Sequence, residues 1–271
     1  MIRDASFAFL RVAAVAALAA SLAGCGGELT GPSAAEQADI SSLSSTIARN
    51  PGDATAYNTR GAAFAQAGDF GRAIEDFTRA TTINPSFAEA FTNRAIAYRR
   101  TGKASLAKAD LDRAIQIKPG YTAALIERGN LYRASGDLTS AMADFNAAIA
   151  SDPGSAIAYN DRGLIFQAQG DQQSALNDFN YAIERDPFAA APYQARGQSL
   201  TALGQCDKAI GDFNATLNVK ADNPDAWAAL GYCYEKTGDR NRALENYQRA
   251  LSYDAGNPVA HAGIARLGGR A

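Results

Sequence analysis

The stretch Ala156–Ala189, AIAYNDRGLIFQAQGDQQSALNDFNYAIERDPFA, decides the fold of this chain. The same pattern of aromatic, small and turn residues lies 34 residues away on either side. It occurs six times without insertion, in residues 54–87, 88–121, 122–155, 156–189, 190–223 and 224–257. A period of this length indicates a stack of one supersecondary unit, not a set of independent domains.

Each copy contains two amphipathic helical segments separated by a glycine. The first segment repeats an apolar or aromatic residue, a small residue and a second apolar residue, which in the fourth copy are Tyr159, Gly163 and Phe166. Intervals of four and three place these residues on one stripe of a helix. The second segment carries Ala175, Phe179 and Ala182 in the same manner. The small residue of the first segment is expected to let the helices approach closely, against the alanine twelve residues later.

This pattern closely resembles the tetratricopeptide repeat, and the resemblance covers residues 54–257. It implies an all-α fold, a right-handed superhelix or α-solenoid of six helix-turn-helix repeats with a concave inner face. Ile40, Leu43 and Ile47 lie on one helical stripe near residues 33–49, and residues 258–267 predict a solitary first helix. Both segments are expected to cap the stack. Residues 34–271 are therefore assigned to the solenoid.

The first 25 residues have the pattern of a signal peptide, with Arg3 and Arg11 around the start of an apolar run. The run is shorter than the roughly 20 residues that span a bilayer. Its end, Leu22-Ala23-Gly24-Cys25, resembles the bacterial lipobox. The resemblance implies lipidation of Cys25 and an outer-membrane lipoprotein that faces the periplasm, if the source is Gram-negative. The alternative is an ordinary cleaved secretory signal, and residues 26–33 predict a flexible tether.

An arginine occupies one position in the first five copies, and an aspartate follows it by sixteen residues. In the sixth copy both change together, to Leu230 and Asn246. Because an antiparallel helix pair brings these positions close, we expect structural ion pairs between Arg60 and Asp76, Arg94 and Asp110, Arg128 and Asp144, Arg162 and Asp178, and Arg196 and Asp212. The alternative is a ridge of arginines that binds an anionic partner.

The family resemblance implies an inner face formed mainly by the first helices. There the copies differ, and we predict a peptide-binding groove lined by Asn93, Ile96, Arg99, Arg100, Asn130, Arg133, Asn160, Leu164, Gln167, Gln194 and Gln198. Amides suit the backbone of an extended peptide and arginines suit carboxylates. For each residue the alternative is a solvated helix face. The lysine and asparagine carboxylate clamp of chaperone-binding relatives is not clearly reproduced.

Composition excludes several functional classes. The chain has 26 basic and 28 acidic residues without long runs of either sign, so bulk attraction to nucleic acid is not expected. One histidine and three cysteines are too few for a clustered zinc site, and we predict no metal and no cofactor. If Cys25 is lipidated, Cys206 and Cys233 remain as an even pair, which predicts a disulfide or, alternatively, two buried thiols.

No nucleophile with a neighbouring base emerges, so the chain is not expected to be an enzyme. The leading hypothesis is a scaffold or adaptor, anchored to the membrane by lipid, that binds peptides or other proteins on its concave face. One alternative is a regulator that sequesters and modulates a periplasmic hydrolase. Another is a cytoplasmic co-chaperone, which would require the N-terminal segment to remain uncleaved.

Overall fold

A computed structural model of the chain describes residues 34–268, which form fourteen α-helices and no strand. The helices are α1 (Ala34–Arg49), α2 (Ala54–Gln66), α3 (Phe70–Ile83), α4 (Ala88–Arg100), α5 (Ala104–Ile117), α6 (Thr122–Ala134), α7 (Leu138–Ser151), α8 (Ala156–Gln169), α9 (Gln172–Arg185), α10 (Ala190–Ala202), α11 (Cys206–Val219), α12 (Pro224–Lys236), α13 (Arg240–Tyr253) and α14 (Pro258–Arg266). The predicted signal peptide with Cys25, and the tether of residues 26–33, lie outside the described residues.

The helices pack as a one-dimensional stack of antiparallel pairs. Each copy contributes one even-numbered first helix and one odd-numbered second helix, which pack against each other and against the neighbouring copies. Consecutive even-numbered helices also contact one another, whereas within residues 34–268 no two consecutive odd-numbered helices do. The stack therefore curves, with the first helices on its concave side. This arrangement confirms the predicted all-α solenoid.

Local sequence marks where each helix begins and ends. Gly170 closes α8 in the left-handed conformation, with φ +83°, and its N–H donates to the carbonyls near the end of that helix. The equivalent glycine has a positive φ in every copy. Asp171 then caps α9, because its carboxylate accepts the backbone N–H of Ser174. The turn between the two helices of a repeat is thus encoded by two adjacent residues.

The core of each repeat is built around the aromatic ring of its second helix. A Cβ atom added to Gly163 would lie 2.6 Å from Cε1 of Phe179, a distance at which atoms clash. In the fourth copy the ring of Phe179 is thus the nearest neighbour of the glycine, while in the first copy the backbone oxygen of Ala73, the alanine twelve residues after Gly61, also lies 3.2 Å from the added Cβ. In the second copy the pair is Ala95 and Leu111. A side chain without a ring leaves room for a Cβ on the facing helix.

The two ends of the stack are closed by single helices. Ile40 and Ile47 of α1 are buried, and Leu43 is partly buried. At the other end Ile264 of α14 is buried against the last repeat. Each end helix thus covers the apolar face of the repeat beside it. None of the helices within residues 34–268 is both long and apolar enough to cross a membrane.

Candidate functional site

The structure brings together all five arginine and aspartate pairs. In the fourth copy Nε and Nη2 of Arg162 donate to Oδ2 and Oδ1 of Asp178 at 2.8 and 2.7 Å, a two-point contact that recurs in the other four. Asp178 is 3% exposed. The Arg162 guanidinium also lies 5.6 and 5.9 Å from the ring centres of Tyr159 and Phe166. Its pKa is raised, chiefly by the hydrogen bonds to Asp178 and against the effect of burial.

Each of these arginines has a further partner, sixteen residues earlier on the second helix of the preceding unit. Nη1 of Arg162 donates to Oδ1 of Asn146 at 2.8 Å. The equivalent acceptors in the other copies are Ser44, Thr78, Asp112 and Asn180. Each guanidinium therefore joins three helices through hydrogen bonds from its Nε, Nη1 and Nη2 atoms. This favours a structural role over a ridge for an anionic partner.

Many predicted groove residues form contacts between consecutive first helices. These contacts join Asn93 to Asn58 at 3.0 Å, Arg99 to Glu127 at 3.1 Å, Asn130 to Asp161 at 2.9 Å, Gln167 to Ser199 at 2.9 Å, and Gln194 to Asn223 at 2.7 Å. The first four contacts each cross a junction between consecutive repeats, whereas Asn223 is the last residue of the fifth copy and caps α12. The amides at these positions connect neighbouring repeats instead of pointing only to solvent.

The remaining groove residues have different surroundings. Arg100 and Gln198 are exposed and have no polar partner within residues 34–268, while Arg133 donates to Oδ1 of Asn130 at 3.1 Å. Ile96 and Leu164 are half-buried. Sequence reasoning missed Ile157, which is 62% exposed near the start of α8. The sequence pattern could have identified it. The second residue of every first helix is exposed, and in α8 this residue is isoleucine, a large aliphatic side chain.

The inner face between α6 and α8 contains several buried oxygen acceptors. Asp161 is 7% exposed, and its two oxygens accept amide N–H groups from Asn130 and Asn160. In the described chain no lysine or arginine lies within 4.0 Å of this carboxylate. Oδ1 of Asn160 is buried without a hydrogen bond. Oε2 of Glu127 is buried too, and its partner is Arg99, in an ion pair at 3.1 Å. Oδ1 of Asn160 is therefore an acceptor on this face that has no donor among the described residues.

In the structure the two cysteines of the predicted pair are free thiols, which is the alternative that the sequence left open. Cys206 and Cys233 are free and buried, and they belong to one apolar cluster at the junction of the fifth and sixth copies. Sγ of Cys233 also lies 3.4 Å from Oγ1 of Thr201. No group of three or more histidine, cysteine, aspartate or glutamate side chains within residues 34–268 is placed to hold a metal ion.

A charged cluster attaches α14 to the last repeat. Oε1 and Oε2 of Glu235 accept hydrogen bonds from Arg266 at 2.8 and 2.9 Å, and Oε2 accepts another from the Tyr247 hydroxyl at 2.7 Å. Burial raises the pKa of Glu235, but these hydrogen bonds outweigh it, so the pKa lies below its ordinary value. The ionised carboxylate therefore stabilises the docked helix.

Acidification is expected to loosen α14. Because the pKa of Glu235 is lower in the folded state, its contribution is complete above the unfolded-state pKa of about 4.3 and is lost as the pH falls through the folded-state value. We expect about 1 kcal/mol of docking free energy to disappear, since Arg266 is half exposed. Hydrogen exchange of the α14 amides, measured against pH, checks this. In the Glu235→Gln variant the pH dependence should be absent, and an unchanged dependence would contradict the assignment.

Four family models match the chain. The three described as "Tetratricopeptide repeat" match residues 54–87, 88–121 and 224–257, which are the first, second and sixth copies, and one described as "TPR repeat" matches residues 129–170. No curated protein sequence matches the chain.

Solved structures share the fold at low sequence identity. A chain of the APC/C hetero-tetramer Cut9-Hcn1 has a TM-score of 0.76 at 18% identity over 86% of this chain. This chain spans only 46% of that one. PilF of Pseudomonas aeruginosa has a TM-score of 0.73 at 15% identity, over 79% of this chain and 97% of its own. YrrB, described as a protein with an unusual peptide-binding site, has a TM-score of 0.58 at 21% identity, over 71% of this chain and 99% of its own.

Proposed function

Because the chain is a tetratricopeptide-repeat solenoid, we propose that it is a non-catalytic scaffold or adaptor that binds a peptide or a partner protein on its concave face. Tetratricopeptide-repeat proteins generally mediate interactions with proteins or peptides. The observation that carries the proposal is the inner face, where the first helices meet and present different side chains at each step. The peptide-binding site described for YrrB, a protein of similar fold, is consistent with this role.

The groove suits an extended peptide of mixed character. The unpartnered Oδ1 of Asn160 matches a backbone N–H group of a ligand. Ile157 and Leu164 on α8 offer apolar contact beside them. Arg100 is exposed and has no acidic partner within the described residues, so an acidic ligand side chain has a place there. Since Arg99 is paired with Glu127, it is a weaker candidate for the same role.

Replacing three exposed groove side chains is expected to weaken partner binding at least about tenfold, since exposed anchors of an interface carry much of its energy. The variant combines three substitutions in one chain, Arg100→Ala, Ile157→Ala and Gln198→Ala. A matched control changes Arg79, Leu106 and Gln173 to alanine, which are exposed residues of the same types on second helices. Both proteins are compared with the unchanged chain in pull-downs from solubilised envelope, scored by quantitative mass spectrometry.

Equal recovery of partners by the groove variant and the control would contradict binding on the concave face. Recovery that falls for the control alone would move the interface to the second helices. If a captured hydrolase changes its rate when this chain is added, the partner is an enzyme and the chain is its regulator.

We further propose that the chain is anchored by lipid at Cys25 and faces the periplasm from the outer membrane. The support is the sequence Leu22-Ala23-Gly24-Cys25 at the end of a signal-like segment. Several acyl chains would hold the protein stably, whereas one chain binds only marginally. Growth with a labelled fatty acid should label the chain but not its Cys25→Ala variant. If the protein carries no fatty acid label and is recovered in the soluble cytoplasmic fraction, the result would instead support the co-chaperone alternative.

A further inference from the structure

The junction between the fifth and sixth repeats lacks the arginine that joins every earlier junction. In the preceding junction Nη1 of Arg196 reaches Asn180, which connects α10 to the second helix α9. At the next junction the equivalent position is Leu230, which is buried and donates no hydrogen bond. The helices α11 and α12 are therefore joined there without a guanidinium.

The two cysteines of the described chain lie at this same junction. Cys206 is the first residue of α11 and Cys233 lies in α12, so they belong to the two helices that the missing arginine would have joined. Both are buried and pack in one apolar cluster with Leu230. The cluster thus brings two buried thiols together from helices of different repeats, where a cystine would join the repeats covalently.

We propose that Cys206 and Cys233 are an oxidation site at which a disulfide-bearing oxidant forms a cystine that joins the fifth and sixth repeats. The bond would replace, at this one junction, the polar connection that arginine provides elsewhere. The inference is independent of what the concave face binds.

The reaction is a double thiol–disulfide exchange. The sulfur of Cys206 loses its proton and attacks the oxidant's disulfide, whose S–S bond breaks and releases one thiol. The sulfur of Cys233 then loses its proton and attacks Cys206 in the mixed disulfide, which releases the second thiol. Two protein thiols are oxidised, one oxidant disulfide is reduced, and the two protons leave on the released thiols.

The order of attack follows from accessibility. Cys206 is 6% exposed and lies beside the turn that precedes α11, whereas Cys233 is 0% exposed. Burial raises the pKa of Cys233 to about 12. Cys233 is therefore protonated at neutral pH and reacts second, within the protein.

Oxidised glutathione is the oxidant for the test, applied to the purified reduced full chain. After free thiols are blocked, trypsin should release residues 197–208 joined to residues 221–236, with loss of both free thiols at these positions. Dithiothreitol should separate the two peptides. The Cys233→Ser variant should instead accumulate a glutathione adduct at Cys206, because the second attack is removed.

Three outcomes would overturn the proposal. Both cysteines could remain open to the blocking reagent after denaturation, glutathione could stay on either cysteine of the unchanged chain, or the link could join Cys25 instead. Hydrogen exchange gives an independent readout, since the cystine should slow exchange of the α12 amides in the oxidised chain relative to the reduced one. Equal exchange in a chain shown to be linked would contradict its role in joining the repeats.

Discussion

The Arg162→Leu variant is expected to lose about 3 kcal/mol of unfolding free energy, because it leaves the Asp178 carboxylate buried without its cation. Asp178 is 3% exposed and receives two hydrogen bonds from Arg162, while the arginine side chain is 22% exposed. The contact with Asn146 is lost as well. Urea titration followed by circular dichroism measures the change.

The sixth repeat supplies the control for this variant. There leucine and asparagine stand in place of the pair, as Leu230 and Asn246, and both are buried. The double change Arg162→Leu with Asp178→Asn should therefore recover most of the loss, since it removes the buried charge together with its partner. A double variant as unstable as Arg162→Leu alone would mean that the arginine contributes through its other contacts, with Asn146 and the flanking rings.

The helical stack was predictable because its signals are local and repeat in register. Gly170 and Asp171 mark the turn of the fourth copy within two residues, and Tyr159, Gly163 and Phe166 mark one helix face. The pairing of Arg162 with Asp178 could also be anticipated, since both belong to one helix pair. These features depend only on geometry within one repeat.

Contacts across repeat junctions could not be derived in the same way. Two such contacts are the hydrogen bonds from Arg162 to Asn146 and from Gln167 to Ser199. Both depend on the rotation and the distance between consecutive repeats. The period of the sequence does not specify that geometry. For this reason Gln167 was predicted as a ligand-facing residue, although its amide joins α8 to α10. The redox state of Cys206 and Cys233 depends on an oxidant as well as on the fold.

Gly163→Ala is expected to destabilise the fourth repeat by about 2 kcal/mol through overpacking. The new Cβ would lie 2.6 Å from Cε1 of Phe179, and that ring is fully buried. The steric cost exceeds the roughly 1 kcal/mol that alanine gains over glycine inside a helix. Thermal and urea unfolding of the variant measure the net effect.

The second repeat indicates how this loss can be reversed, because it carries Ala95 and Leu111 at the two equivalent positions. Adding Phe179→Leu to Gly163→Ala should relieve the clash and restore the free energy of unfolding to within about 1 kcal/mol of the unchanged chain. The remaining loss is the cost of a smaller core side chain.

The reverse experiment in the second repeat uses the same reasoning. Leu111→Phe alone should destabilise the second repeat, since its ring would meet the Ala95 Cβ, and Ala95→Gly should rescue it. Additive losses in both pairs would show that glycine at this position serves the helix backbone and not the ring.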